Sequence, residues 1–221
     1  MIHCIGDSHV SVFTGHDSMP DIWHPKYRSD DKTEYFKTYR LGAATSYQLD
    51  RKIPMIEHII NEVTIDKEYD SMLFCFGEVD IRAHLIKQSE IQEKEIDIVV
   101  KECVDKYFDT IMYFKNTGYK IMVWGPIASW SDKAPYTSGP SFGTNIERNH
   151  VTKIYNEHLD KLCNENDIPF LTIFDKMILE DGTTNEKYLD PWLDCHIHLV
   201  QTAYPLIMEE FKKKKIINNY D

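Results

Sequence analysis

The sequence predicts an α/β protein built around a central parallel sheet. Three observations carry this prediction. Four short apolar runs have the length of buried strands, each run is bounded by Gly, Asp or Pro, and longer helix-like stretches separate them. Strands alternating with helices imply a parallel sheet covered on both faces.

The elements follow in chain order. Ile2–Ile5 is the first run, and Gly6-Asp7-Ser8-His9 follows it at once, leading into helix-like sequence. Pro54 to Val63 reads as a helix with proline in its first turn, where a missing amide costs nothing. Ser71–Phe76 is the second run and leads into Gly77-Glu78-Val79-Asp80-Ile81-Arg82. Ile96 to Phe114 carries apolar residues at 96, 99, 100, 103, 104, 107, 108 and 111, a stripe of 3.6-residue period. Tyr119–Trp124 is the third run; Gly125-Pro126 and a long loop to Gly143, bearing Trp130, Tyr136 and Phe142, come after it. Asn145 to Cys163 is helix-like, with Ile146, Ile154, Leu159 and Leu162 on a similar stripe. Ile168–Ile173 is the last run. Asp194-Cys195-His196-Ile197-His198 then precedes a final helix, Thr202 to Phe211. Lys212 to Lys215 suit the negative end of that helix and read as a solvated segment.

Composition narrows the function. A chain of 221 residues suits one domain spanning 1–221, and 42% hydrophobic with 28% charged residues is ordinary for a globular protein. The formal charge of −11 argues against nucleic acid and against anionic membranes as partners. Five cysteines without a CxxC pair look like reduced thiols in a cytoplasmic setting. Met1 to Ile5 is too short for the apolar region of a signal peptide, and no run approaches the roughly 18 apolar residues of a membrane span.

In open parallel sheets, ligands bind outside the carboxyl ends of the strands. Chemically capable residues gather there in this chain. A serine hydroxyl needs a general base, an orienting acid and donors for the oxyanion. Ser8, after a strand and a glycine turn, is placed as a nucleophile, although Asp7 or Ser8 could equally serve as a helix cap. His196 and His198, with Asp194 close by, could supply a base and the carboxylate that holds its tautomer.

Taken together, these segments resemble the SGNH/GDSL hydrolases. Gly6-Asp7-Ser8 is similar to the first sequence block of that family, Gly42 to the glycine of the second, Gly77-Glu78-Val79-Asp80 occupies the place of the third, and Asp194 to His198 resembles the last. The resemblance implies a three-layer α/β/α, flavodoxin-like fold and ester hydrolysis without a cofactor. It implies Ser8 as nucleophile, His198 as base and Asp194 as acid, with Gly42 serving the oxyanion. Asp7, Gly77 and Arg82 fall among the residues expected around oxyanion and substrate. Arg82 belongs to a Gly-Glu-x-Asp-x-Arg run similar to one in members from polysaccharide gene clusters, which points to a short acyl ester such as an O-acetylated saccharide.

Two features depart from the family pattern. Val79 stands where the family has an oxyanion asparagine, and valine offers no donor; Arg82 or His84 are candidate substitutes. The family spacing Asp-x-x-His is absent, since Asp194 lies two residues before His196 and four before His198. His198 is the expected base because Leu199 follows it; His196 is the rival, and a Ser–His dyad or help from Asp190 are the fallbacks. Two other readings remain open at this stage. A metal-dependent phosphoesterase would use Asp7-Ser8-His9 and His196-Ile197-His198 as ligand pairs, resembling calcineurin-type enzymes, but the nearest Gly-Asn-His analogue is Arg148-Asn149-His150 in a helix-like stretch. A glycan- or partner-binding module could keep the fold without the chemistry.

Overall fold

The structure is a computed structural model that describes residues 1–16, 33–132, 140–190 and 197–217. Five parallel strands form one sheet in the order β2-β1-β3-β4-β5, with β1 Ile2–Gly6, β2 Phe36–Arg40, β3 Ser71–Cys75, β4 Lys120–Trp124 and β5 Phe170–Leu171. The chain moves from β1 outward to β2, then crosses back to place β3 on the other side of β1. The strand order therefore reverses between β1 and β3, the position where open α/β sheets form a ligand crevice.

The period-2 alternation of the strands sorts side chains to two cores. Ile5, Met72, Phe74, Ile121 and Val123 face one layer. That layer is built by α1 (Ile53–Val63), α4 (Ile96–Asn116), which follows the stripe read from the sequence, and α5 (Asn145–Glu165), whose Ile146 is exposed while Val151, Tyr155, Leu159 and Cys163 are buried. Cys4, Leu73, Cys75, Met122 and Trp124 face the other layer. There they meet a 3-10 helix over Ser8–Thr14, the short α6 (Phe174–Met177) and α7 (Tyr204–Lys213). Three layers, α/β/α, result. A helical run of mixed geometry follows β3: α2 (Glu78–Asp80), a π-helical turn Ile81–Leu85, and α3 (Ile86–Gln92).

Four details differ from the sequence expectation. β2 was not foreseen. Its sequence, Phe36-Lys37-Thr38-Tyr39-Arg40, holds no apolar run, because it is an edge strand with Lys37 exposed. β5 keeps only two of the six residues expected. Pro169 has no amide to donate, so that edge of the sheet is held through its carbonyl, which accepts from the Val123 amide at 3.0 Å. The helix-like sequence after Ser8 is a seven-residue 3-10 helix that ends at Gly15 in the left-handed conformation. The last α-helix begins at Tyr204, preceded by a 3-10 turn over Gln201–Ala203, with Pro205 in its first turn. Among the described residues no helix is long and apolar enough to cross a membrane.

Candidate active site

Strand register brings the first three family-like segments to one level. Gly6 pairs with Arg40 of β2 and with Cys75 of β3. Ser8, Gly42 and Gly77 each lie two residues beyond that common rung, at the carboxyl edge of the sheet. The chain is tightly packed there. A Cβ on Gly6 would lie 2.4 Å from the Cys75 carbonyl oxygen, so only glycine lets β1 and β3 approach this closely. Gly77 has φ +120°, and a side chain there would meet Pro126 at 2.6 Å as well as straining the backbone.

The nucleophile candidate meets its partner from the far end of the chain. His198 Nε2 lies 2.6 Å from Ser8 Oγ. Ser8 is half-buried and His198 is buried. The His198 backbone is held on both sides. Leu199 forms an antiparallel bridge with Leu189, the Asp190 amide donates to the His198 carbonyl at 2.8 Å, and the Val200 amide donates to the Tyr188 carbonyl. Gln201 Nε2 then donates to the Val12 and His16 carbonyls, tying this segment to the 3-10 helix that begins at Ser8.

Asp7 is fully buried, and its Oδ1 accepts from the His9 amide at 2.8 Å, capping that 3-10 helix. The sequence placed Asp7 among substrate-binding residues. Sealed from solvent, its carboxyl has a capping role instead. Burial pushes its pKa up to about 8, aided by the negative Glu78 and opposed by the His9 amide, so at neutral pH it is mostly a protonated acid. Glu78, equally buried, goes the other way. Burial alone would raise it, but His9 and Arg82 outweigh that and hold it down at about 2. Arg82 Nε donates to Glu78 Oε1 at 2.7 Å and its Nη1 to the Pro140 carbonyl at 2.9 Å. These bonds commit two of its nitrogens to Glu78 and to the loop after β4. His84 is exposed and lines a separate groove with Asp80 and Tyr47.

Asp80 organises the neighbouring loop. Its carboxylate accepts from the Ser46 amide at 2.6 Å and the Tyr47 amide at 3.1 Å, and Tyr155 Oη donates to Ser46 Oγ at 2.8 Å. The aspartate of the third segment thus holds the loop that carries Gly42. Gly42 itself has φ +82° and nothing within 4 Å of its Cβ position, which leaves its surroundings open. Val79, at the first turn after β3, is buried and has no side-chain donor.

Asp194 and His196, with Cys195, lie outside the described residues, as does Tyr136. Sequence reasoning offered His9 only as a ligand in the metal-dependent reading, not as a neighbour of His198. The His9 ring packs on His198 with centroids 4.8 Å apart, and its Nε2 lies 3.1 Å from Glu78 Oε2. The i,i+4 pairing of Glu78 with Arg82 is readable from spacing on a helix; the contact of His9 with both neighbours is tertiary and has no local signal. Arg148 and Asn149 are buried inside α5. Among the described residues no group of three or more His, Cys, Asp or Glu side chains is arranged to hold a metal ion.

The fold is that of the GDSL hydrolases. The chain is similar to a GDSL-like lipase from Bacteroides thetaiotaomicron, at 13% identity and a TM-score of 0.61, over 98% of this chain and 88% of that one. It is similar to a catalytic mutant of an acetylxylan esterase from Geobacillus stearothermophilus, at 13% identity and a TM-score of 0.57, over 96% and 92%. A phospholipase A1 from Streptomyces albidoflavus aligns at 12% identity and a TM-score of 0.55, over 94% and 97%. At these identities the likeness is one of fold. No protein-family model and no curated protein matches the sequence.

Proposed function

We propose that this chain is a serine ester hydrolase of the SGNH/GDSL type, acting on a short acyl ester such as an O-acetylated saccharide. The observation that carries the reading is the 2.6 Å separation of Ser8 Oγ and His198 Nε2 at the carboxyl edge of a GDSL-type sheet. At that distance the imidazole can take the hydroxyl proton as attack begins. Ser8 Oγ then bonds to the acyl carbon, and the carbonyl electrons move to oxygen. The Ser8 and Gly42 amides hold that oxyanion. His198 returns the proton to the leaving alcohol, and the C–O bond breaks to leave an acyl-serine. Water, deprotonated by His198, repeats the attack and frees the acid. Asp194 orients the imidazole in this reading.

Val79 removes the third oxyanion donor, which typically costs about 2.7–4 kcal/mol of transition-state stabilisation. The reaction therefore runs on two backbone amides. Two observations favour a saccharide ester. The names of several fold neighbours include acetylxylan esterase and carbohydrate acetylesterase. A groove of about 350 Å³ opens beside the Asp80-held loop, lined by Gln48, His84, Gln88 and Gln92, whose polar groups suit a hydroxyl-rich ligand.

Turnover of p-nitrophenyl acetate by wild type, Ser8→Ala and His198→Ala tests the mechanism. Each substitution should lower kcat by roughly 10⁴-fold or more. Equal rates in all three proteins would refute it. Covalent labelling of Ser8 by a fluorophosphonate between pH ~6 and ~9, the span of the usual histidine transition, separates the enzyme from a binding module, which would not label.

A further inference from the structure

The residue directly after the nucleophile has no part in the chemistry above. His9 is buried; its Nε2 lies 3.1 Å from Glu78 Oε2, at ion-pair distance, and its Nδ1 has no hydrogen-bond partner among the described residues. Burying a ring nitrogen without a partner is costly unless the position requires an imidazole. One side of the ring packs against His198, with the two planes tilted by 55°. Its Nε2 faces Glu78 Oε2, and the opposite oxygen of that carboxylate accepts from Arg82 Nε. Arg82 is in turn tied to the Pro140 carbonyl. A continuous chain of contacts thus runs from the helical segment after β3, through Arg82, Glu78 and His9, to the ring that meets Ser8.

That ring, which also meets Ser8 Oγ at 2.6 Å, is one whose tilt a packed neighbour can set. His198 stands on a short irregular segment whose backbone bonds to Asp190 and Tyr188 fix its main chain. The terminal torsion of a histidine is broad, so main-chain bonds do not select one ring orientation. A packed neighbour does. We infer that His9, clamped by the Glu78–Arg82 pair, is a positioning residue that holds the His198 ring with Nε2 aligned on Ser8 Oγ. The catalytic side of this inference rests on the proposed reading of His198 as the base; the packing side does not.

Two roles of His9 can be separated chemically. Its ring body supplies the surface against His198, and its Nε2 engages Glu78. His9→Ala removes both, His9→Phe keeps the ring body, and Glu78→Gln weakens the clamp while leaving His9 in place. Misplacing a reacting group by about 1 Å can cost 10²-fold in rate. The expected result for His9→Ala is a fall in kcat of roughly 10- to 10²-fold, with KM within about twofold of wild type because ground-state binding is untouched.

The deciding measurement is nitrogen-15 NMR of the histidine side chains, recorded without substrate. In wild type the His198 ring should give one sharp set of signals. In His9→Ala those signals should shift or broaden, and His9→Phe should largely restore them. Unchanged His198 signals in His9→Ala, or a change that His9→Phe does not reverse, overturn the inference. If His9→Ala fails to fold, Glu78→Gln is read in the same way: shifted His198 signals support the clamp and unmoved ones overturn it. Should wild type show neither turnover nor Ser8 labelling, the esterase reading fails by itself, while the ring signals still decide the packing claim.

Discussion

Two buried polar networks stand at the carboxyl edge of this sheet, and they are built differently. One surrounds Arg148 in α5, the largest fully buried side chain among the described residues. Its Nε donates to Ser129 Oγ at 2.8 Å, its Nη1 to the Gly143 carbonyl, and its Nη2 to the Trp130 carbonyl at 3.0 Å and to Asp132 Oδ1 at 2.8 Å. Asn145 Nδ2 donates to the Ser129 and Trp130 carbonyls and to Thr184 Oγ1, and Asn149 Oδ1 accepts from the Ser129 amide. Apart from Trp130 Nε1, the buried side-chain polar atoms of this network are paired. The other network, Asp7–His9–Glu78, leaves Asp7 Oδ2 and His9 Nδ1 without hydrogen bonds and joins His9 Nε2 to Glu78 Oε2 only as a 3.1 Å ion pair, although all three residues line one small cavity. A satisfied network is a scaffold; it fixes the two ends of the loop after β4. An unsatisfied one stores cost, and buried unpaired groups of that kind gather at sites selected for something other than stability.

Breaking the scaffold should produce the largest change in stability. Arg148→Met keeps much of the side-chain length but abandons four acceptors, two of them, Ser129 Oγ and the Trp130 carbonyl, on buried residues. Asp132 is half exposed, so its share is small. A loss of about 2–4 kcal/mol is expected from the stranded acceptors. Urea unfolding should show it as a lower midpoint with an unchanged slope. Ser8 in the folded fraction should still react with a fluorophosphonate, because the 2.6 Å contact with His198 does not run through this network. Equal loss of labelling in the folded fraction would show that the two networks are one.

A second substitution works on the site instead. Val79 is buried at the first turn after β3, where an asparagine side chain would reach toward the oxyanion position in the family pattern. Val79→Asn should raise kcat for p-nitrophenyl acetate, by up to about 10²-fold if the amide finds the geometry of a true third donor. Its effect on unfolding should be smaller than that of Arg148→Met. A rate that stays flat or falls would mean that another group already fills the role of the third donor.

The same contrast explains what was readable in the sequence. β1, β3 and β4 were legible because strands buried on both faces become continuous apolar runs. β2 was not, because an edge strand with an outward Lys37 and a buried Thr38 has no such run. The helix α4 was legible from its stripe; α5 was legible as a helix, but its buried face runs through Arg148, Asn149, Thr152, Tyr155 and Leu159, and Ile146 is exposed. Ser8 and His198 are 190 residues apart, and no local pattern joins them; only the resemblance of their two segments to one family did. The packing of His9, offered by the sequence only as a metal ligand, was hidden for a related reason. A histidine beside a nucleophile looks like any other until the fold brings Glu78 and His198 against it. The scaffold was equally hidden, since Arg148-Asn149-His150 reads as an ordinary polar stretch until the loop after β4 folds over it.

The smallest expected effect on rate, and the clearest in sign, separates the two carboxyls within the unsatisfied network. Asp7 is raised from 3.8 to about 8 and Glu78 lowered from 4.5 to about 2. Between about pH 4 and 8 the native protein keeps the Asp7 proton that the unfolded chain has released. The native state then binds more protons, so this residue makes stability fall as pH rises through that window. Glu78 acts at the other end. Its contribution is present above about 4.5 and is lost as pH falls toward 2. Asp7→Asn can still accept the His9 amide through its carbonyl oxygen, but it carries no proton to titrate. Urea unfolding of wild type and Asp7→Asn from pH 4 to pH 8 should therefore diverge. The two proteins should be similar at pH 4, and the variant should lose less stability toward pH 8. Parallel profiles would show that the Asp7 carboxyl is already ionised in the native state. The orphaned Oδ2 would then be part of a buried negative pair with Glu78, and Arg82 would be the fixed positive charge facing both.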